Sequence, residues 1–368
     1  MFETADRWLA SPALRLALVA AYLIAAALVA LFFPDTPDEL SRISIARRYL
    51  ETGRYDFFWP PGNVWVIILN PLIELMDDVT AVRLFNLALA GMPLGLLFFT
   101  VRDARLVAIA ALVAPYTYFA LSTGSQQGLM IGLLLILLWT VKTERLVPFW
   151  LTAVLLYLVN PALILMLPLG LFFLAVRRGW RTTFMVAVLA YLPIAATALW
   201  IWSDNGRIMP TLSGNGGYNV FLGNNPDPMS PRGVGDREAA RTQYGAGNEI
   251  QVTLEFLRTD PTGFAANMAK KAWLYWMPWD FLRSGMGEGV TTILFAYFAV
   301  AQIAIYTTLW VWRKDVDPRL FAFVIATCLA AWAVYTLFFV KLRFRIPFDL
   351  ILFFAVLMSP AARKRAAP

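Results

Sequence analysis

Long apolar runs separated by short polar turns form the main pattern of this chain. The first, Leu14 to Phe33, has the roughly 20 residues that a helix needs to cross a bilayer, and it is too long for a typical signal-peptide core. We therefore expect a retained first helix. Further runs follow at roughly 62–76, 80–101, 104–120, 127–141, 147–159, 161–176, 182–202, 289–312, 320–340 and 346–359. The 62–76 run is short and contains Pro71, which fits a re-entrant or interfacial segment better than a crossing. The pattern predicts an all-α polytopic membrane protein with about ten transmembrane helices.

Basic residues recur at every second turn between these runs. The clusters are Arg102 with Arg105, Lys142 with Arg145, Arg177 with Arg178 and Arg181, Arg313 with Lys314 and Arg319, and Arg363 with Lys364 and Arg365. Because cytoplasmic turns are rich in Lys and Arg, this alternation predicts that these turns and both termini are cytoplasmic. The segments 34–61 and 203–288 would then face the periplasm or exterior. The pattern therefore predicts a chain that crosses the membrane several times, with its two long segments on the outer side.

Composition agrees with a membrane protein and excludes several chemistries. Hydrophobic residues make up 60% of the chain and charged residues only 15%, too apolar for a water-exposed surface of this size. The net charge of +7 lies in short clusters beside apolar runs, so nucleic acid is not an expected partner. The chain has no histidine, which excludes imidazole bases and the usual zinc sites. Its single cysteine, Cys328, excludes a disulfide framework.

Both long outer segments carry helical patterns. In 34–61, apolar residues from Leu40 to Leu50 recur at helical spacing, which predicts an amphipathic helix on the membrane surface. The segment 203–288 opens with the turn-rich stretch GNGGYNVFLGNNPDP, after which helical patterns resume near Asp236 and Asn248. Asp260-Pro261 interrupts the second of these patterns. A loop this long in a membrane domain is usually functional.

Three carboxylates, Asp35, Asp38 and Glu39, follow the first helix directly. One interpretation is structural, because Asp38 could cap a helix and acidic residues favour its first turn. The other is a general base at the membrane surface, where partial desolvation would raise its pKa toward neutrality. A divalent ion at Asp35 and Asp38 stays open, since oxygen ligands without a defined geometry do not establish a metal site.

The cations Lys341, Arg343 and Arg345 fall on the outer side, against the positive-inside trend. They could extend their charged ends to water from a helix end, or they could hold an anionic head group, for which guanidinium groups are suited. The Gly- and Asn-rich stretch could be a linker. Alternatively, Tyr218, Asn219, Asn224 and Asn225 could bind a polar substrate such as a sugar.

Taken in order, these motifs resemble the GT-C superfamily of membrane glycosyltransferases. Within it, the resemblance is to the branch of protein O-mannosyltransferases and the lipid A aminoarabinose transferase. The resembling segments are PDELSRISIARRYLETGRYDFFWPPG, AVRLFNLAL, LSGNGGYNVFLGNNPDP and KLRFRIPFDL. Residues 1–368 would then form a single transmembrane glycosyltransferase domain, shorter than typical members and without a large soluble C-terminal domain.

The resemblance implies an inverting transfer of sugar from a polyprenyl-phosphate donor to a lipid, glycan or protein. Asp38 falls at the catalytic base, with Glu39 beside it. Arg343 and Arg345, with Lys341 and Arg83 as further contacts, would bind the donor phosphate. The implied partners are the lipid-linked donor and membrane lipids, and no cofactor is required.

Two other functions compete with this one. A transporter or flippase of lipid-linked glycans would need charged residues buried within its spans, and apart from residues near span ends the sequence has almost none. A non-catalytic assembly subunit would use the acidic group only as a helix cap.

Overall fold

The computed structural model describes residues 11–32, 78–122, 126–160, 166–205, 249–278, 288–338 and 342–363, with a few single positions between them. The helices of these residues, numbered in chain order, are α1 Pro12–Phe32, α2 Asp78–Asn86, a π-helical turn Leu87–Gly91, α3 Met92–Thr100, α4 Ala104–Ser122, α5 Gln126–Thr143, α6 Leu146–Val159, α7 Met166–Arg178, α8 Trp180–Asn205, α9 Glu249–Thr259, α10 Pro261–Leu274, α11 Glu288–Trp312, α12 Pro318–Leu337, α13 Leu342–Leu357 and α14 Pro360–Arg363. The described part contains no β-strand.

Two of the helices begin with a cap that the sequence encodes clearly. The side chain of Asp317 accepts hydrogen bonds from the backbone N–H groups of Arg319 and Leu320, and Pro318 occupies the first turn of α12. Asp260 caps α10 in the same way through Gly263 N, with Pro261 after it. These carboxylates satisfy backbone donors that have no partner within the helix, while proline loses nothing at that position.

Five helical segments of the described residues are long and apolar enough to cross a membrane. They are Pro12–Phe32, Val79–Leu97, Gln126–Thr143, Thr292–Trp312 and Pro318–Leu337. Shorter apolar helices cover Ala104–Tyr118, Leu146–Val159 and Trp180–Ala196. The all-helical prediction is confirmed, with membrane-spanning character in several helices. The total of about ten crossings stays a prediction.

The core is built around α5 and α13. Both helices are buried along most of their length, and in α13 every side chain from Phe344 to Leu357 is buried. They pack against each other, and α13 also packs against α11 and α12. A helix that is apolar all round is stable only where other helices or lipid surround it. Here α4, α6, α11 and α12 provide that surrounding layer.

The turns rich in Lys and Arg lie together at one end of the molecule, called the basic end below. Arg102 N donates to Ala362 O at 2.9 Å, and the Lys142 ammonium donates to Met358 O. Arg178 lies 3.8 Å from the carboxylate of Glu144. The start of α12 joins this group because Asp317 and Arg319 line one cavity with Lys142. The clusters therefore share one end, as the alternation of charge predicts.

The first segment predicted to face outward, 34–61, is described only at scattered positions. Leu40, Ile43, Ser44, Arg47, Arg48, Glu51 and Thr52 are helical, with Ile43 buried and Leu40 and both arginines exposed. Because one of the two described apolar positions is exposed, the amphipathic helix on the membrane surface stays a prediction. The carboxylates Asp35, Asp38 and Glu39, and the 62–76 run, lie outside the described residues. In 203–288, α9 begins at Glu249, next to the predicted start near Asn248, while the predicted start near Asp236 lies outside the described residues.

Candidate functional site

A buried polar cluster lies at the far end of α12, away from the basic end. The Lys271 ammonium donates to Asn224 Oδ1 at 2.6 Å and to Phe338 O at 3.0 Å. Asn224 Nδ2 in turn donates to Leu337 O at 2.7 Å and to Val220 O at 2.7 Å. The last carbonyls of a helix lack partners inside it, and here a lysine and an amide supply them.

This cluster joins three distant parts of the sequence. Asn224 belongs to the Gly- and Asn-rich stretch, Lys271 to α10, and Phe338 to the connection between α12 and α13. Asn267, one turn before Lys271, donates to Gly223 O at 2.9 Å. Trp332 Nε1 of α12 donates to Ala272 O at 3.0 Å. Helix α10 therefore fixes the Asn-rich stretch to the end of α12.

Burial changes the acid–base behaviour of Lys271. The residue belongs to α10, which is not among the candidate spanning helices, and only 6% of it is exposed. The loss of hydration disfavours the ammonium form and lowers the pKa of Lys271 to about 7. A neutral amine keeps two N–H donors, which matches the two acceptors it contacts. Lys271 can thus change its charge near neutral pH without losing either hydrogen bond.

A second buried cluster surrounds Asp349 of α13. Its carboxylate accepts from Tyr116 Oη at 2.5 Å, from Tyr306 Oη at 2.7 Å and from Arg345 Nε at 3.0 Å. Gln302 Nε2 donates to Tyr116 Oη at 3.4 Å. Arg345 is 1% exposed, and its ion pair with Asp349 is enclosed by α4, α11 and α13. A buried charge is tolerated when it is paired and hydrogen-bonded. Arg345 meets this condition at Nε and Nη1, whereas its buried Nη2 has no hydrogen-bond partner among the described residues.

The two clusters are linked through α10. Arg345 Nη1 donates to Tyr275 O at 2.5 Å, and Tyr275 follows Lys271 by one helical turn. The α12–α13 connection is therefore held at its start by Lys271, through Phe338 O, and at its end by Arg345, through Tyr275 O. Lys341 lies between these two points, outside the described residues, and Arg343 is described only in its backbone, as part of α13.

The structure locates three of the predicted site residues directly. Arg345 lies against Asp349 rather than at a surface. Arg83 is buried, and its Nη1 donates to Ala30 O at 2.8 Å. Ala30 belongs to the last turn of α1. Asn224 is buried in contact with Lys271. Tyr218, Asn219, Asn225, Lys341, Asp38 and Glu39 lie outside the described residues, so their predicted roles stay predictions.

Sequence analysis missed the partners that complete these clusters. Asp349 follows Arg345 by four residues within the last apolar run. On a helix this spacing brings opposite charges together, so the sequence did contain an indication of the ion pair. Lys271 carries no comparable signal, because its partners are 47 and 67 residues away. No group of His, Cys, Asp or Glu suited to a metal ion occurs among the described residues, a part of the chain that does not include Asp35 and Asp38.

Comparisons with family models, with curated proteins and with solved structures gave no match to this chain. The fold and the two clusters define a helical protein of multi-pass membrane character, with one polar cluster buried at the end away from the basic turns and a second buried midway along α13.

Proposed function

We propose that this protein transfers a sugar from a polyprenyl-phosphate donor to a lipid, glycan or protein acceptor at the outer face of the bacterial cytoplasmic membrane. In this proposal the chain has the GT-C fold with about ten crossings, and the end away from the basic turns faces the periplasm. The observation that carries the proposal is the contact of Asn224 with Leu337 O. It joins the Asn-rich motif to the residues just before KLRFRIPFDL, as expected if both motifs line one site.

The donor phosphate is assigned to Lys341 and Arg343 ahead of Arg345. Arg345 already pairs with Asp349 through Nε and donates to Tyr275 O through Nη1, which leaves only its buried Nη2 for a ligand. Turning the whole guanidinium toward a phosphate would break the buried ion pair, at a cost of about 3–5 kcal/mol. Arg345 is thus better suited to positioning the connection that carries the other two cations. Arg83, bonded to Ala30 O, serves in the same way beside the end of α1.

The chemistry follows from these assignments. Asp38, with Glu39 beside it, takes the proton of an acceptor hydroxyl, and the resulting oxygen attacks the anomeric carbon of the donor. The bond from that carbon to the phosphate oxygen breaks, and the lipid phosphate leaves with the bonding electrons. Lys341 and Arg343 stabilise the charge that develops on it. Attack opposite the leaving group inverts the anomeric centre. No cofactor takes part, and a divalent metal at Asp35 and Asp38 is a secondary possibility of the same proposal.

A transporter of lipid-linked glycans is the second candidate, because Arg345 and Asp349 form a buried ion pair of the kind that transport pathways contain. One observation argues against a transporter. The Asp349 carboxylate accepts three hydrogen bonds from side chains of this protein, and these bonds hold α4, α11 and α13 together. A non-catalytic assembly subunit is the third candidate.

The test is turnover by the purified protein in liposomes, supplied with a panel of polyprenyl-phosphate sugars and a membrane extract as the source of acceptors. We expect one donor to be consumed with release of polyprenyl phosphate, and Asp38→Asn to abolish this while the folded protein keeps its thermal stability. Asp315→Asn, an exposed carboxylate at the basic end, is the matched control and should keep full activity.

Phosphate binding is tested separately by thermal stability in detergent. A ligand at a hundred times its dissociation constant stabilises by about 2.7 kcal/mol, so the active donor should raise the melting temperature of the wild type. The double variant Lys341→Ala/Arg343→Ala should lose this shift, whereas Arg105→Ala/Lys314→Ala should keep it. Sugar movement across the bilayer without hydrolysis of the donor would replace the proposal with the transporter. Turnover that survives the removal of Asp35, Asp38 and Glu39 together would exclude the assigned base.

A further inference from the structure

Helix α10 is amphipathic in the reverse sense of a helix that borders water. Its buried face carries two polar side chains, Asn267 and Lys271, which bond to the Asn-rich stretch and to the end of α12. Its opposite face is exposed and apolar, and Trp273 on that face is 63% exposed. The other exposed apolar positions of this face are Ala265, Ala266 and Ala269. A helix at a water-exposed surface turns its apolar face inward, so this arrangement fits an apolar environment outside α10.

Helix α9 adds a second exposed apolar surface. Its Val252 and Phe256 are buried, and the Phe256 ring packs edge-on against Phe264 of α10 at a centroid distance of 5.8 Å. The exposed apolar side chains of α9 are Ile250, Leu254 and Leu257. Its exposed polar side chains are Gln251, Arg258 and Thr259. At 3.6 residues per turn, the exposed apolar group lies between the buried face and the polar face. A helix that lies in a bilayer surface beside a protein has these three faces.

The lipid-facing side of α12 leads directly to these two helices. Helix α12 is long and apolar enough to cross a membrane, and it exposes Leu329, Ala333 and Leu337 along one side. The last of these stands at the end of the helix, where the neighbouring Phe338 O accepts from Lys271. Trp332 Nε1 of α12 also donates to Ala272 O of α10. The surface of α12 that meets acyl chains in a bilayer therefore continues onto α10.

We propose that α9 and α10 lie in the bilayer surface at the end away from the basic turns, with their exposed apolar faces in contact with lipid. The bilayer is the occupant of both faces because they continue the lipid-facing side of α12, and because tryptophan is enriched at this depth. The helices lie on the membrane and do not cross it, since they have 11 and 14 residues. A single helix then separates lipid from the Lys271 cluster. The proposal rests on the membrane placement of α12 and does not depend on glycosyl transfer.

The test is fluorescence quenching of the full chain in liposomes. In a Cys328→Ala background, single cysteines at Leu254→Cys and Ala269→Cys carry a solvent-sensitive fluorophore on the two apolar faces. Thr259→Cys is the matched control, because it is exposed and lies about 140° around α9 from Leu254. The quenchers are aqueous iodide and two phosphatidylcholines, with a nitroxide either near the head group or near the end of an acyl chain. Melting temperatures in detergent show that each labelled protein is folded.

We expect the nitroxide lipids to quench the labels at Leu254 and Ala269 several-fold more than the label at Thr259, and iodide to give the reverse order. The nitroxide near the head group should quench more than the deep one, because a surface helix enters the membrane by only about 5–10 Å. Equal quenching by iodide at the three positions would put both helices in water and overturn the proposal. Protection from iodide without quenching by either lipid would show that protein, such as a second copy of the chain, covers these faces, and would also overturn it. Stronger quenching by the deep nitroxide would exclude the surface position.

Discussion

Lys271 shows how burial gives one residue two roles. Its ammonium supplies a partner for the end of α12 and for Asn224, yet the same burial lowers its pKa to about 7. At lower pH the protein holds a poorly hydrated positive charge, and at higher pH it holds a neutral amine with the same two hydrogen bonds. The residue therefore costs stability in acid and less in base.

The first prediction concerns the pH dependence of stability. An unfolded lysine keeps its proton up to a pKa of about 10.4, so between about pH 7 and that value the unfolded chain binds more protons than the folded one. The free energy of unfolding should then rise with pH, by at most about 1.4 kcal/mol per pH unit from this one group. Melting temperatures measured in detergent from pH 6.5 to 9 should increase in the wild type.

The matched variants are Lys271→Met and the neighbouring Lys270→Met. Lys271→Met removes the titrating group. The melting temperature of this variant should therefore increase less between pH 6.5 and 9 than that of the wild type. Lys270→Met should follow the wild-type curve, because the Lys270 side chain is partly exposed to solvent. A curve for Lys271→Met that parallels the wild type would mean that another group controls the pH dependence.

At the scale of the element, close approach of helices is set by glycine. A Cβ built on Gly132 of α5 would lie 2.4 Å from Leu89 O, in the π-helical turn Leu87–Gly91. The obstacle is backbone, which cannot rotate aside. In membrane proteins small residues allow helices to pack through their backbones, and a π-helical turn shifts the groups on either side of it. Gly132 therefore fixes where α5 passes the turn.

The second prediction follows from this contact. Gly132→Ala should destabilise the protein by about 1–3 kcal/mol, the usual cost of overpacking a core. Gly95→Ala is the control, because its Cβ would meet a side-chain methyl, Val19 Cγ1 at 2.9 Å, rather than backbone, and should therefore cost less than Gly132→Ala. Thermal unfolding in one detergent gives the comparison. Equal stability of the two variants would show that the π-helical turn and α5 can separate without cost.

The positions of the helices could be predicted from the sequence to within a few residues, because helices that face lipid and helices that face the core are both apolar. The predicted 104–120 and 127–141 runs correspond to Ala104–Ser122 and Gln126–Thr143. The 346–359 run shows the limit. Its helix begins at Leu342, since Arg345 is helical and pairs with Asp349 one turn later. Hydropathy treats an arginine as the end of a run and cannot see that a partner neutralises it.

The candidate site was harder to predict from the sequence, because its contacts join residues that are far apart along the chain. Asn224 was predicted from turn chemistry as a substrate contact, but nothing local indicates that it meets Leu337 at a separation of 113 residues. The interaction of Arg345 with Tyr275 O spans 70 residues. Such pairs depend on how α10 packs against α12, which periodicity does not specify. The motifs indicate which residues matter, and packing decides which of them touch a ligand.

At the scale of the whole molecule, the charge asymmetry predicts how the protein sits in its membrane. The basic end gathers clusters from turns that are distant in sequence, and the polar site lies at the other end of helices such as α12, about 30 Å away at 1.5 Å per residue. The positive-inside rule assigns the basic end to the cytoplasm. The third prediction is that Lys314 is inaccessible from outside the cell and that Arg258 of α9 is accessible.

The experiment is single-cysteine labelling in intact cells with a membrane-impermeant maleimide. The background is Cys328→Ala, which removes the single native thiol, a buried one. Arg258→Cys, at a position with an exposed side chain on α9, should be labelled in intact cells. Lys314→Cys should be labelled only after the cells are permeabilised, which also shows that its thiol is reactive. The reverse pattern would put the basic end outside and the Lys271 cluster in the cytoplasm. A flipped lipid-linked sugar could not then reach the proposed site, so this measurement decides whether the assigned chemistry has access to its donor.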